Sequence, residues 1–117
     1  MNEKIKEIEA TFDIKLPKDY IEYIENNNGY TGMIDGDYYD IWNLEDIIAR
    51  NSDYRVQELF PNLVYFGSNG GDEAYAFDKS NNMCVVSIPF IGTEEDKKVI
   101  ADNFNDFINT SHTSLQS

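Results

Sequence analysis

Acid–base or nucleophilic catalysis at neutral pH needs a histidine, a cysteine or a perturbed carboxylate held in place, and this chain offers few. Its one histidine, His112, lies in the polar run from Thr110 to Ser117, where nothing positions it as the base of a Ser or Cys nucleophile. Its one cysteine, Cys84, stands in the apolar run Met83-Cys84-Val85-Val86, the setting of a packed thiol rather than a reactive one. The turn Gly67-Ser68-Asn69-Gly70-Gly71 looks at first like a phosphate cradle. It carries no Lys-Ser/Thr pair, however, and runs into Asp72 and Glu73, which repel phosphate. A tight strand–strand connection needing positive φ accounts for it better. Asp35, Asp37, Asp40 and Asp46 could ligate calcium. In an EF-hand loop counted from Asp35, the fifth position is Tyr39 and the sixth Asp40, where an oxygen ligand and a glycine are required. Paired carboxylates also hydrolyse glycosides, but 117 residues leave little room for a sugar cleft. The residues therefore predict no catalytic group, no metal site and no cofactor.

Binding is the chemistry the sequence does suggest. Tyr30, Tyr38, Tyr39 and Trp42 are interleaved with Asp35, Asp37 and Asp40. On a strand, Tyr38, Asp40 and Trp42 share one face while Tyr39 and Ile41 share the other. One face has to pack on helices, so some of these rings are core, and the pattern alone does not separate core from interface. Between Thr31 and Asp78 there are ten acids against Arg50 and Arg55, a net charge of −8. Solubility is the plain reading of that charge; a negative face that speeds encounter with a basic partner is the sharper one. The candidate partner-binding residues are Asp35, Asp37, Tyr38, Tyr39, Asp40, Trp42, Glu45, Asp72 and Glu73.

Composition bounds the partners. The chain carries 9 Lys and Arg against 22 Asp and Glu, a net charge of −13, with 41% hydrophobic and 14% aromatic residues. That apolar share belongs to a folded body, not a disordered acidic tail. Nine scattered cations make no stripe for nucleic acid, and an anionic membrane surface would repel the domain. One cysteine excludes an internal disulfide and a multi-cysteine zinc site. The first residues alternate charge with Ile and lack the apolar stretch of a signal peptide. The expectation is a soluble, cytoplasmic domain.

The elements that must position these residues are legible in part. Ile5, Ile8 and Phe12 have helical spacing, with Asn2 as N-cap. Pro17 suits the first position of a second helix whose stripe is Tyr20, Ile21 and Ile24, and Gly29 suits its left-handed end. Asp35-Gly36 joins Tyr30–Ile34 to Asp37–Trp42 as a two-residue hairpin. Asn43 can cap a helix through Arg50, with Asp46 at its third position. The stretch from Ser52 to Phe60 reads as either a short helix or an ordered loop. Strands follow at Leu63–Phe66, Glu73–Asp78 and Met83–Phe90. Thr93 with Asp96 opens a closing helix whose apolar positions are Ile100, Phe104, Phe107 and Ile108. The fold class is α+β: an antiparallel sheet of about four to six strands, two N-terminal helices and a C-terminal helix. Residues 1–109 form one domain and 110–117 a polar, disordered tail.

Several of these segments look familiar. Leu16-Pro17-Lys18-Asp19-Tyr20, continuing to Asn26-Asn27-Asn28-Gly29, resembles the "LP-x-x-Y … NG" opening of the SUKH superfamily. Ile41-Trp42-Asn43-Leu44-Glu45-Asp46-Ile47 is similar to its strand-to-helix segment, and Phe66 through Asp78 to its glycine turn and aromatic strand. Phe104-Asn105-Asp106-Phe107-Ile108 matches its closing helix. The resemblance runs from about Ile5 to Asn109. It implies a sheet wrapped by helices without enzymatic activity. Bacterial members are generally immunity proteins that neutralise toxin domains, often nucleases. The resemblance thus implies an antitoxin whose partner is a cognate protein toxin, a basic nuclease domain. The alternative is a cytosolic regulatory or scaffold module, as in the yeast cell-wall synthesis regulator of the same superfamily.

Overall fold

The computed structural model describes residues 3–34 and 37–108, without the side chains of Ile34, Asp37 and Glu94. Helix α1 is Glu3–Phe12 and α2 is Lys18–Asn27. Ile5, Ile8 and Phe12 on α1 and Tyr20 and Ile24 on α2 are buried, as their helical spacing requires. The expected cap Asn2 lies outside the described residues. Pro17 sits one position earlier than expected: it is the N-cap of α2, extended at φ −60° and ψ 142°. The left-handed residue closing α2 is Asn28 (φ 45°) rather than Gly29, which follows with positive φ of its own. Asn tolerates that region because its short side chain bonds locally. The Asn28 side chain then accepts the Leu44 N–H at 3.3 Å, so one residue closes α2 and caps α3 (Leu44–Asp53). Asn43 occupies the N-cap position of α3 but makes no side-chain cap bond.

Among the described residues, six strands form one antiparallel sheet in chain order: β1 (Tyr30–Ile34), β2 (Asp37–Ile41), β3 (Leu63–Ser68), β4 (Glu73–Asp78), β5 (Cys84–Pro89) and β6 (Lys98–Ala101). Helices α3 and α4 (Val56–Leu59) fill the β2–β3 connection, resolving the ambiguous stretch, and α5 spans 104–108. Ile34 pairs with Asp37; the expected hairpin residues Asp35-Gly36 lie outside the described residues. The α+β class and its two N-terminal and one C-terminal helices are as expected.

The closing segment is a correction. Thr93 and Asp96 do bond, with the Thr93 N–H donating to Asp96 Oδ2 at 2.8 Å, but only the 3₁₀ turn Glu94–Asp96 follows. Lys98–Ala101 is then a strand on the outer edge of β5. Two causes act together. Val99 and Ile100 are β-branched, and β5, buried from Cys84 to Ile88, would otherwise leave its outer N–H and C=O groups unpaired. Helical spacing holds only from Phe104 onward.

Both faces of the central strands are covered, which is why β3 reads as a continuous apolar run. On one face Phe66 and Phe77 stack at 4.4 Å, and Tyr20 of α2 packs edge-on against Phe77 at 5.1 Å. Phe107 of α5 meets Tyr75 at 4.8 Å. The Tyr20 hydroxyl has no partner among the described residues, and burial pushes its ionisation far above the usual range. The opposite face carries Tyr65, with Tyr54 from the end of α3 beside it. Buried Asn51 ties α3 to β3: its Nδ2 donates to Tyr65 O at 2.9 Å and its Oδ1 accepts the Tyr65 N–H at 2.8 Å.

Candidate partner-binding surface

β2 meets β3 at only two residue pairs, Asp40 with Ser68 and Ile41 with Gly67. The approach is close: a Cβ on Gly67 would stand 2.6 Å from the Asp40 carbonyl oxygen. Gly67 is needed for that contact rather than for its φ. Gly70 is the residue of this turn with positive φ (80°), and a Cβ there would stand 2.3 Å from the Tyr38 ring. Asn69 Oδ1 accepts the Gly71 N–H at 2.9 Å and Ser68 Oγ accepts the Gly70 N–H at 3.1 Å. The turn thus holds its shape with its own side chains, and it seats Tyr38 on Gly70.

The structure divides the nine candidate residues. Tyr39 is 8% exposed and Trp42 2% exposed, so both rings belong to the core and are corrected from anchors to packing residues. Tyr39 stacks on Tyr75 at 5.7 Å, and Trp42 stacks on Tyr54 at 6.4 Å. Tyr39 is covered by Tyr75 and Phe107, and Trp42 is drawn inward where its backbone N–H donates to Phe66 O at 3.0 Å beside the crossing at Gly67. Tyr38 is 39% exposed. Asp40 is half-buried and accepts the Thr31 hydroxyl at 3.3 Å. Glu45 is exposed in the first turn of α3, where a carboxylate suits the helix N-terminus with or without a partner. Asp72 is exposed and Glu73 half-buried. Asp35 lies outside the described residues, and the Asp37 side chain is not described.

The neighbours Asp72 and Glu73 point apart. Glu73 lines a depression of about 280 Å³ with Tyr75, Ser87 and Phe107, on the α5 side of the sheet. Asp72 lines a groove of about 500 Å³ on the other side, with Tyr54, Gly71, Pro89, Phe90 and Ile91. Tyr38 and Asp40 alternate with Tyr39, so they lie on that second side too. This surface includes residues that sequence reasoning missed. Tyr54 and Phe90 stack at 4.5 Å, Tyr54 is 42% exposed, and Ile91 is 96% exposed. The Phe90 N–H donates to the Asp72 carbonyl at 2.8 Å, fixing the two ends of the groove together. Phe90 at the end of the expected strand Met83–Phe90, with Ile91 just after it, was the available signal. Tyr54 gave none, because it stood in the ambiguous stretch.

The groove lining contains no cation. Nearby, Arg55 is bonded to Glu58, and Arg50 lies 4.9 Å over the Trp42 ring. Cys84 is buried, and burial together with the Asp78 charge pushes its thiol up, against thiolate formation. Among the described residues no three His, Cys, Asp or Glu side chains are grouped to hold a metal ion, and no helix is long and apolar enough to cross a membrane. The arrangement offers an acid–aromatic contact surface.

No curated protein sequence matches the chain. The model of the SMI1 / KNR4 family (SUKH-1) matches residues 2–110, nearly the whole chain and every element that builds this surface. The chain belongs to the SMI1 / KNR4 family (SUKH-1).

Proposed function

We propose that this chain is a non-catalytic immunity protein that binds and neutralises a cognate toxin domain, and that the toxin is a nuclease. The observation that carries the reading is the SUKH-1 match over residues 2–110, since SUKH domains include immunity proteins. The net charge of −13 supports a basic partner. A nuclease holds a polyanion and lines its cleft with cations, so an acidic protein can fill that cleft and exclude the substrate. Inhibition then needs no covalent step. Since the nucleic acid a nuclease attacks is in the cytoplasm, the immunity protein acts there. The contact surface is the side bearing Tyr38, Asp40 and Asp72, with Asp35, Asp37 and Glu45 contributing further charge and Glu73 on the reverse side contributing little.

Co-expression with the toxin domain encoded beside its gene tests this. Restored growth, co-purification and loss of nuclease activity at one equivalent are expected. A toxin that stays active and forms no complex would refute the immunity role. A complex with a resident cellular protein in its place would make the chain a regulatory or scaffold module.

A further inference from the structure

We infer that the groove walled by Tyr54, Phe90 and Ile91 receives an arginine side chain projecting from the partner protein's surface. This rests on the reading above for the partner's existence and adds what the partner must present. The groove, about 500 Å³, is larger than one side chain, so an arginine enters it together with the partner residues beside it. Its walls are apolar and aromatic, with Tyr54 and Phe90 stacked on each other, and its lining includes the exposed acid Asp72 and no cation. A planar guanidinium stacks on aromatic faces and forks onto a carboxylate, and it sheds water more readily than an ammonium does. The protein already makes one such contact in the adjoining cluster: Arg50 lies 4.9 Å over Trp42, and Trp42 stacks on Tyr54. Ile91, 96% exposed, supplies apolar surface for the arginine's methylene stem and for the partner residues around it. The bond from the Phe90 N–H to the Asp72 carbonyl ties the two backbones together, so ring and acid stand on one fixed piece of main chain.

The experiment titrates the intact ¹⁵N-labelled protein with N-acetylarginine amide, with the lysine and citrulline amides in parallel. Arginine should give saturable amide shifts at Gly71, Asp72, Phe90 and Ile91. Lysine should bind more weakly, and neutral citrulline should leave these amides unmoved. Asp72→Asn, an exposed and nearly isosteric change, should weaken arginine about tenfold, while Tyr54→Phe should keep it. Shifts spread evenly over all exposed carboxylates, equal shifts with lysine, or groove shifts that survive Asp72→Asn would each overturn the proposal. With the toxin domain, a complex indifferent to Asp72→Asn and Ile91→Ser refutes the groove and leaves the immunity role standing. Arginine binding in the groove without toxin neutralisation refutes the immunity role and leaves the groove standing.

Discussion

Replacing Asn51 with alanine would untie α3 from the middle of the sheet, and with it Tyr54, the wall of the groove. β2 reaches β3 only at Gly67 and Ser68, so the Asn51 amide takes the place of a strand partner for both backbone groups of Tyr65. Its third bond, from Nδ2 to Ile47 O at 2.7 Å, lies within α3, where that carbonyl also has a helical partner. Alanine therefore orphans two buried groups, each at about 1–3 kcal/mol. Taking about 2 for each, and returning about 1 kcal/mol of side-chain entropy, the expected loss is about 3 kcal/mol. For a domain of this size that is a fall of roughly 12 °C in Tm. Urea unfolding followed by Trp42 fluorescence measures it, with the m-value unchanged. Asn51→Asp is the sharper control. It keeps an oxygen for the Tyr65 N–H but aims a second carboxylate oxygen at the Tyr65 and Ile47 carbonyls. At pH 7 it should be worse than alanine, and its deficit relative to wild type should shrink in acid as the carboxyl regains a proton to donate. A loss below about 1 kcal/mol for alanine, or an aspartate milder than alanine at neutral pH, would refute this accounting.

Gly67→Ala should cost about 1–3 kcal/mol, because its Cβ would meet the Asp40 carbonyl at 2.6 Å. Hydrogen exchange should show protection lost first in β1 and β2, and uniform loss would contradict the narrow β2–β3 junction. Burial raises the Asp78 carboxyl, but bonds from Lys97 at 2.8 Å and from Ser80, with the Lys97 charge, outweigh it and hold the group below its usual 3.8. A lowered folded value means the contribution is full above the unfolded value and lost as pH falls from there towards the folded one. Wild type and Asp78→Asn should therefore differ in Tm near pH 6 and converge as pH falls below the unfolded value of 3.8; parallel curves would exclude the effect. Burial, and next Tyr54, pushes the Tyr65 hydroxyl up to about 12. Its contribution is present below the unfolded value near 10 and lost as pH rises from there towards 12. Tyr65→Phe should accordingly flatten the decline of Tm in that window.

Local pattern recorded those elements whose burial repeats with their own geometry. Ile5, Ile8 and Phe12 mark α1 because a helix returns the same face every 3.6 residues. Glu73–Asp78 marks β4 to the residue, because turn residues bound it on both sides. The α+β class and the acidity of the surface follow from the same local information. Lys98–Ala101 escaped, because its choice between helix and strand was made by the outer edge of β5, whose unpaired backbone groups appear in no window around residue 100. The rings of Tyr38, Tyr39 and Trp42 could not be sorted by alternation alone, because Trp42 lies beyond β2 and is turned inward by the close crossing at Gly67. The groove was the least visible of all. Its walls come from the end of α3, the β3–β4 turn and the residues after β5, and only the sheet pairing that brings Asp72 against Phe90 sets Tyr54 and Ile91 beside a carboxylate. A chain pattern states which residues seek burial, and which distant residues end up sharing a surface is decided by the pairing of backbones far apart in sequence.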